Sequence, residues 1–437
     1  MKSSFYNIVI NNINENKESI IFNTVSGAIV KLNETDYYNL SNNIFTNINI
    51  DKVNYLLDKG IVVEEKKNEL KQLIEVNNDN ISTTKTLTYV IAPSSNCQLG
   101  CDYCGQKHTS NRLDESKERL LLIRIYDLLK LYNYESLAIS WYGGEPLIGL
   151  ESIKRILNDL KQKKINVSSQ VLITNGILLN IRTYKILYDL GINNFQITID
   201  GDEEIHNIRR PLKNRGNSFE KIYNNLVNIF RLENYNEIRG SFNIRVNVDK
   251  RNLNSVKNLL KKISLDGFQK EINVAIAPIH SWENDLNDVI EDKSIISDVE
   301  IELMMYMMDL GFIVNLIPKR IKNTCMMTSK GAELVDAFGN IYNCTEAPYT
   351  PKIDKDAKYL IGHINDSKIK TNNYLSNWFD IISDIEDLPC HTCKLLPVCG
   401  GSCPKKWMDD KESPCPTFKY NIKDRILLYY LNQIKNA

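Results

Sequence analysis

Cys97-Gln98-Leu99-Gly100-Cys101-Asp102-Tyr103-Cys104 follows closely on an apolar run, Thr88 to Ile91, and puts three thiols on one short loop. Three thiolates at this spacing hold three irons of a four-iron cubane and leave the fourth iron without a protein ligand. Zinc is the other reading of such a loop. It prefers a closed tetrahedron of four ligands, no fourth cysteine is near, and His108 would have to complete the set.

Outward from this loop, strand-like runs alternate with longer amphipathic stretches. The runs are Thr88 to Ile91, Leu137 to Trp141, Gln170 to Thr174, Phe195 to Ile199, Phe242 to Val248 and Val274 to Ile279. Repeated βα units predict a parallel sheet, and six of them suffice for a partial (βα)6 barrel with its active face at the strand C-terminal ends. A helix is expected around Val299 to Leu310 and another from Asn421 to Gln433. Before the barrel, Phe5 to Ile10, Ser19 to Asn23 and Ala28 to Leu32 read as short strands, followed by helices from Glu34 and from Asp51 to Lys59, and a strand from Ile61 to Val63. This is a small α+β unit. The polar stretch Asn77 to Thr84 has linker composition, and Cys325 to Cys415 offers only short strands and loops, so that metal would form its core. The expected division is therefore 1–80, 86–310, 320–418 and a C-terminal helix over 419–437.

The 437 residues are enough for two or three domains of roughly 150 residues. Hydrophobic residues make up 43% and charged residues 25%, as in a soluble globular protein, and Lys+Arg equals Asp+Glu at 54 each. That balance argues against nucleic acid as a partner. No apolar run approaches the roughly 18 residues of a membrane span, and Met1 to Phe22 lacks a signal-peptide core, so the expected location is the cytoplasm, with no membrane partner. The ten cysteines stand at 97, 101, 104, 325, 344, 390, 393, 399, 403 and 415. Tight groups in a reducing compartment read as metal ligands rather than disulfides.

The second barrel strand ends in Trp141-Tyr142-Gly143-Gly144-Glu145-Pro146. Adjacent glycines let backbone approach a ligand closely, and a carboxylate beside them can accept from an ammonium. With Tyr103 before the last cysteine, the loop and this Gly-Gly-Glu-Pro together resemble the signatures of the radical S-adenosylmethionine (SAM) superfamily. The resemblance implies that Cys97, Cys101 and Cys104 carry a 4Fe-4S cluster whose open iron is chelated by SAM, and that reductive cleavage yields a 5'-deoxyadenosyl radical. It implies cofactor contacts from Tyr103, Gly143, Gly144, Glu145, Pro146, Asn175, Thr198, Asp200 and Arg245, with Thr174, Gly176, Gly201 and Asn247 beside them. His206, Arg209 and Arg210 read as a solvated basic loop that can reach substrate.

Cys325-x13-Gly339-x4-Cys344, then Cys390-x2-Cys393-x5-Cys399-x3-Cys403 and x11-Cys415, resembles the seven-cysteine SPASM domain of peptide-modifying radical SAM enzymes. A zinc knuckle is the plainer reading of Cys390, Cys393, Cys399 and Cys403. If the family's ligation carries over, Cys390, Cys393, Cys399 and Cys415 close one auxiliary 4Fe-4S cluster and Cys325, Cys344 and Cys403 hold another. No eighth cysteine stands just before Cys325, which leaves an iron there open to a substrate thiolate unless a side chain such as Asp, Glu or His closes it.

Two substrate readings follow from the resemblance. One is a maturase of ribosomally made peptides, of the ranthipeptide or sactipeptide type, installing a cross-link such as a Cys thioether. The other is an anaerobic sulfatase-maturing enzyme that forms formylglycine. About 85 residues precede the barrel strand that leads into the cysteine loop, Thr345 stands where sulfatase maturases carry Asp, and Asn23 to Val30 resembles a winged-helix-like leader-peptide recognition region. These favour the first reading, with a leader-bound, Cys-containing precursor peptide as partner and flavodoxin or ferredoxin as electron donor. An iron-sulfur electron carrier or binding protein would explain the cysteines but not Gly143 to Pro146.

Overall fold

A computed structural model describes residues 1–280, 286, 288–351, 357–366, 375–384, 389–409 and 413–435. The chain divides into two compact units: Met1–Thr83 with Asn315–Ser329 and Tyr374–Ala437, and Thr84–Val314 with Lys330–Asn373.

In the first unit β1 (Lys2–Ser3) pairs with β5 (Val62–Val63), and β2 (Asn7–Ile10), β3 (Ser19–Asn23) and β4 (Ile29–Leu32) form an antiparallel sheet. The alternation along β3 gives that sheet two buried faces. Ile21 packs with Val30, Leu40, Val53 and Leu56, the last three from the helices Glu34–Ser41 and Ile50–Asp58. Ile20 and Phe22, on the opposite side, pack with Leu395, Val398, Ile422 and Ile426 from the cysteine-rich segment and the closing helix Phe418–Lys435. Thr24 Oγ1 donates to the Lys394 carbonyl at 2.6 Å, and Lys394 Nζ donates to the Asn7 carbonyl at 2.9 Å.

The expected linker over Asn77 to Thr84 is instead the end of a helix, Glu69–Thr83. Leu73, Asn77 and Ile81 recur every fourth residue and are buried, so an apolar stripe overrides the polar composition. The stretch from Cys325 to Cys415 also holds more than short strands and loops. Its described residues include the helices Trp378–Asp384, Leu396–Cys399 and Pro404–Asp409.

The second unit is an α/β barrel segment. β6 (Thr86–Ile91), β7 (Ser136–Trp141), β8 (Val167–Thr174), β9 (Asn194–Thr198), β10 (Ser241–Val248) and β11 (Ile272–Pro278) pair in sequence order, all parallel. Strand periodicity sorts their side chains. On β10, Phe242, Ile244, Val246 and Val248 are fully buried, while Asn243, Arg245 and Asn247 alternate with them on the more open face.

Beyond Lys330 the chain returns to this sheet. β12 (Glu333–Val335) lies parallel to β6, and β13 (Asn340–Tyr342) and β14 (Leu360–His363) follow antiparallel, making nine strands. Buried Glu333 secures the edge: Arg124 Nε and Nη2 each donate to it at 2.7 Å, and Tyr89 Oη donates at 2.9 Å. Gly339 makes the β12–β13 turn at φ +94°, where a Cβ would lie 2.8 Å from His363 Nε2. Among the described residues no helix is long and apolar enough to cross a membrane.

Candidate active site

The C-terminal ends of the barrel strands surround a cavity of about 420 Å3. Cys97, Cys101 and Cys104 line it together with Tyr103, Gly143, Gly144, Thr174, Asn175, Thr198, Arg245 and Asn247. Most of the residues singled out from sequence are thus brought together. Glu145, Pro146 and Asp200 lie behind the wall, each buried.

The cysteine loop is held by backbone. Gly100 N donates to Pro211 O at 2.9 Å, Asp102 N to Arg209 O at 3.0 Å and Lys213 N to Gln98 O at 2.9 Å. The two glycines after β7 make room for the segment leading into the loop. A Cβ on Gly143 would lie 2.7 Å from Ser94 O, and one on Gly144 2.6 Å from Asn96 O, so the close approach they permit is to protein backbone.

Glu145 fastens two strand ends. Its carboxylate accepts from Leu147 N at 3.0 Å, Thr174 Oγ1 at 2.7 Å and Asn175 N at 2.7 Å, which ties the end of β7 to that of β8. Burial raises its pKa, opposed by the hydrogen bond from the Asn175 amide. Asn175 then reaches the cysteine loop, donating from Nδ2 to Cys97 Sγ at 3.4 Å and to Gln98 Oε1 at 3.1 Å.

Asp200 plays a similar part at β9 and β10. It accepts from the Tyr103 hydroxyl and from Asn247 N at 2.9 Å, and the same hydroxyl accepts from Arg210 and from Asn247 Nδ2 at 3.1 Å. Arg245 Nε donates to Asn247 Oδ1 at 2.8 Å. His206, Arg209 and Arg210 do not form a solvated loop: they are 0%, 1% and 6% exposed. Buried carboxylates explain this for the arginines, since Arg209 Nη1 donates to Asp249 Oδ2 at 2.5 Å and both guanidiniums lie 3.9 Å from Asp200. His206 Nδ1 accepts from Asp200 N at 3.2 Å, and burial followed by the two arginines keeps the ring neutral.

The donor set fits a cluster. Burial pushes the Cys101 thiol up to about 12, with Cys104 and Cys97 close enough to raise it further and Arg210 opposing. Burial likewise raises Cys97. Iron takes thiolates, so a cluster binding here would displace these protons. Among the described residues no three His, Cys, Asp or Glu side chains converge tightly enough for a single metal ion, and His108 Nδ1 faces Lys213 Nζ at 3.2 Å.

A second group of thiols lies in the first unit. Cys390, Cys393, Cys399 and Cys415 line one small apolar pocket with Leu395, Leu396 and Trp407. Burial pushes Cys390 and Cys399 up to about 12, and Lys419 Nζ donates to Cys415 Sγ at 3.3 Å. The four thiols thus share one pocket without converging on a single metal-ion position. Cys325 and Cys403 belong to the first unit and Cys344 to the second.

Sequence reasoning passed over Ser140, Tyr142, Gln196, His280 and Glu346, which also line the cavity. For Ser140 and Gln196 a signal existed, since both are polar residues alternating with buried apolar ones on β7 and β9.

Residues 91–263 match the family profile of the Radical SAM superfamily. Residues 91–263 therefore carry a radical SAM domain, and the chain is an enzyme. It is similar to a cysteine-type anaerobic sulfatase-maturating enzyme of Clostridium novyi, 25% identical over 375 residues, covering 78% of this chain and 92% of that protein. It is also similar to the radical SAM cyclopropyl synthase TigE of Paramaledivibacter caminithermalis, 22% identical over 414 residues, covering 84% and 79%. Among solved structures, native anSMEcpe with bound AdoMet and Cp18Cys peptide shares the fold, with a TM-score of 0.59 at 20% identity over 80% of this chain and 99% of that one.

Proposed function

We propose that this enzyme modifies a ribosomally made precursor peptide, installing a cross-link and most simply a Cys thioether. The barrel cavity carries this reading: three thiols, two glycines and the Asn175, Thr198 and Arg245 side chains share one wall at the strand C-terminal ends. Bound there, a 4Fe-4S cluster and SAM supply an electron and a carbon-centred radical able to remove a substrate hydrogen atom. Cys97, Cys101 and Cys104 would hold the cluster. Gly143, Gly144, Tyr103, Thr198 and Arg245 would face SAM, while Glu145, Pro146 and Asp200 set the positions of that wall from behind.

The two similar proteins named above modify a polypeptide sulfatase in one case and form a cyclopropyl group in the other. The N-terminal unit supports a peptide with a leader. In the order β2-β3-β4, both outer strands have one edge unpaired by the described strands, and an extended leader can add there as a further strand. Cys390, Cys393, Cys399 and Cys415 would close one auxiliary 4Fe-4S cluster, and Cys325, Cys344 and Cys403 would hold a second with an open iron. These clusters would take up the electron left on substrate, and flavodoxin or ferredoxin would feed the first cluster.

Formylglycine formation is the second reading, favoured by the similarity to the Clostridium novyi enzyme. Co-expression with short Cys-rich reading frames separates the two. A cross-link removes about two mass units and one free thiol per bond. Recovery of unchanged peptide mass and thiols would overturn the maturase reading, and conversion of a sulfatase Cys to an aldehyde would establish the other.

A further inference from the structure

Arg210 is a buried cation beside the thiol triad that is not among the proposed cluster ligands or SAM contacts. It is 6% exposed, lines the same cavity as the three thiols, and donates from Nη1 to the hydroxyl of Tyr103, the residue between Cys101 and Cys104 in the loop. Its Nε is buried without a hydrogen-bond partner. The neighbouring Arg209 donates from Nη1 to Asp249 at 2.5 Å, which Arg210 does not, although the Arg209 Nε too lacks a hydrogen-bond partner. Asp200 faces Arg210 at 3.9 Å and accepts its hydrogen bonds from Tyr103 and the Asn247 amide, and the buried Glu145 carboxylate also feels the Arg210 charge. The third titratable neighbour, His206, is uncharged and its Nδ1 accepts from the Asp200 amide. A guanidinium in a low-dielectric wall, incompletely paired by protein, acts strongly on any charge that appears beside it.

We infer that Arg210 is the electrostatic partner of the thiol triad: its buried positive charge favours the added negative charge of the reduced cluster and so sets how readily that site accepts an electron. Charge near a cluster is one of the factors that set its reduction potential. The step is a one-electron transfer from an external low-potential donor, with no bond formed in the protein and no proton moved. Arg210 is here a positioning and tuning residue, acting through the field at Cys101 and through Tyr103. Asp200 partly offsets it, so removing Asp200 acts in the opposite direction. A merely structural role for the pair would not give opposite signs.

The inference rests on the triad being the SAM-site cluster, and the test keeps the two apart. The full-length chain is reconstituted anaerobically and titrated under electron paramagnetic resonance, following the reduced-cluster signal that changes when SAM is added. In Arg210→Gln the reduced-to-oxidised ratio at a fixed potential falls roughly tenfold. Arg210→Lys, which keeps the charge, stays near wild type, and Asp200→Asn raises the ratio. An unchanged ratio in Arg210→Gln, or shifts of the same sign in Arg210→Gln and Asp200→Asn, overturns the inference. Should Arg210→Gln fail to load iron, absence of a rise in Asp200→Asn overturns it equally. A wild-type chain with no SAM-responsive signal overturns the cluster reading itself.

Discussion

Gly144 has room for a hydrogen and little more, since a Cβ there would lie 2.6 Å from Asn96 O and 2.9 Å from Ser95 backbone. Gly144→Ala must displace either the end of β7 or the segment entering the cysteine loop. Overpacking of this kind costs about 1–3 kcal/mol, measurable by urea unfolding, and should abolish SAM cleavage even in protein that still folds. Wild-type cleavage by Gly144→Ala would contradict the tight packing described. His108 gives a second prediction. Burial, followed by the Lys213 ammonium, pushes its pKa down to about 4, below an unfolded value near 6.5. The unfolded chain then binds more protons between these values, so this residue's contribution to stability is complete above about pH 6.5 and is lost as pH falls toward 4. A proton NMR titration of the His108 ring should show a midpoint near 4, and a midpoint near 6.5 would contradict the half-buried placement beside Lys213. At this scale the cysteines, the glycine pair and the polar residues at strand ends were readable because each is a local pattern. The Arg209–Asp249 and Tyr103–Asp200 pairings were not, because their partners are separated by 40 and 97 positions in the chain.

The six barrel strands are legible in the sequence for a physical reason. Each is an apolar run bounded by turn residues, and the parallel order follows from the helices between them. The helix Glu69–Thr83 was hidden by its Asn and Ser/Thr content, although Leu73 and Ile81 lie on one buried stripe with Asn77. Its place depends on contacts distant in sequence: Asn78 Nδ2 donates to Asp380 Oδ2 at 2.8 Å, and Arg320 Nη2 to Asn77 Oδ1 at 3.4 Å. Leu73, 3% exposed, should lose about 2–5 kcal/mol of stability on replacement by Ala. An unchanged urea midpoint would show that this helix carries no core. The strands β12 to β14, of three or four residues, fall below what periodicity can resolve. They belong to the barrel sheet because β12 pairs with β6 and Glu333 meets Arg124 and Tyr89.

In the whole molecule, the cysteine-rich end of the chain does not stand apart as its composition suggests. Leu395, Val398, Ile422 and Ile426 share a core with Ile20 and Phe22 of β3, so the N-terminal sheet and the four-thiol pocket belong to one compact unit. The three cubanes proposed would give the reconstituted chain about twelve irons, and Cys390→Ala should lower the count by about four while leaving SAM cleavage in place. A wild-type count near four would remove both auxiliary clusters. Radical chemistry here depends on the Cys97, Cys101 and Cys104 triad leaving an iron free to take SAM. Its most direct test is 5'-deoxyadenosine formation by the anaerobically reconstituted chain with SAM and a strong reductant, with Cys97→Ala alongside. Product is expected from the wild-type chain and none from the variant; equal formation by both, or none by a wild-type chain with its full iron, would contradict an open iron at the triad.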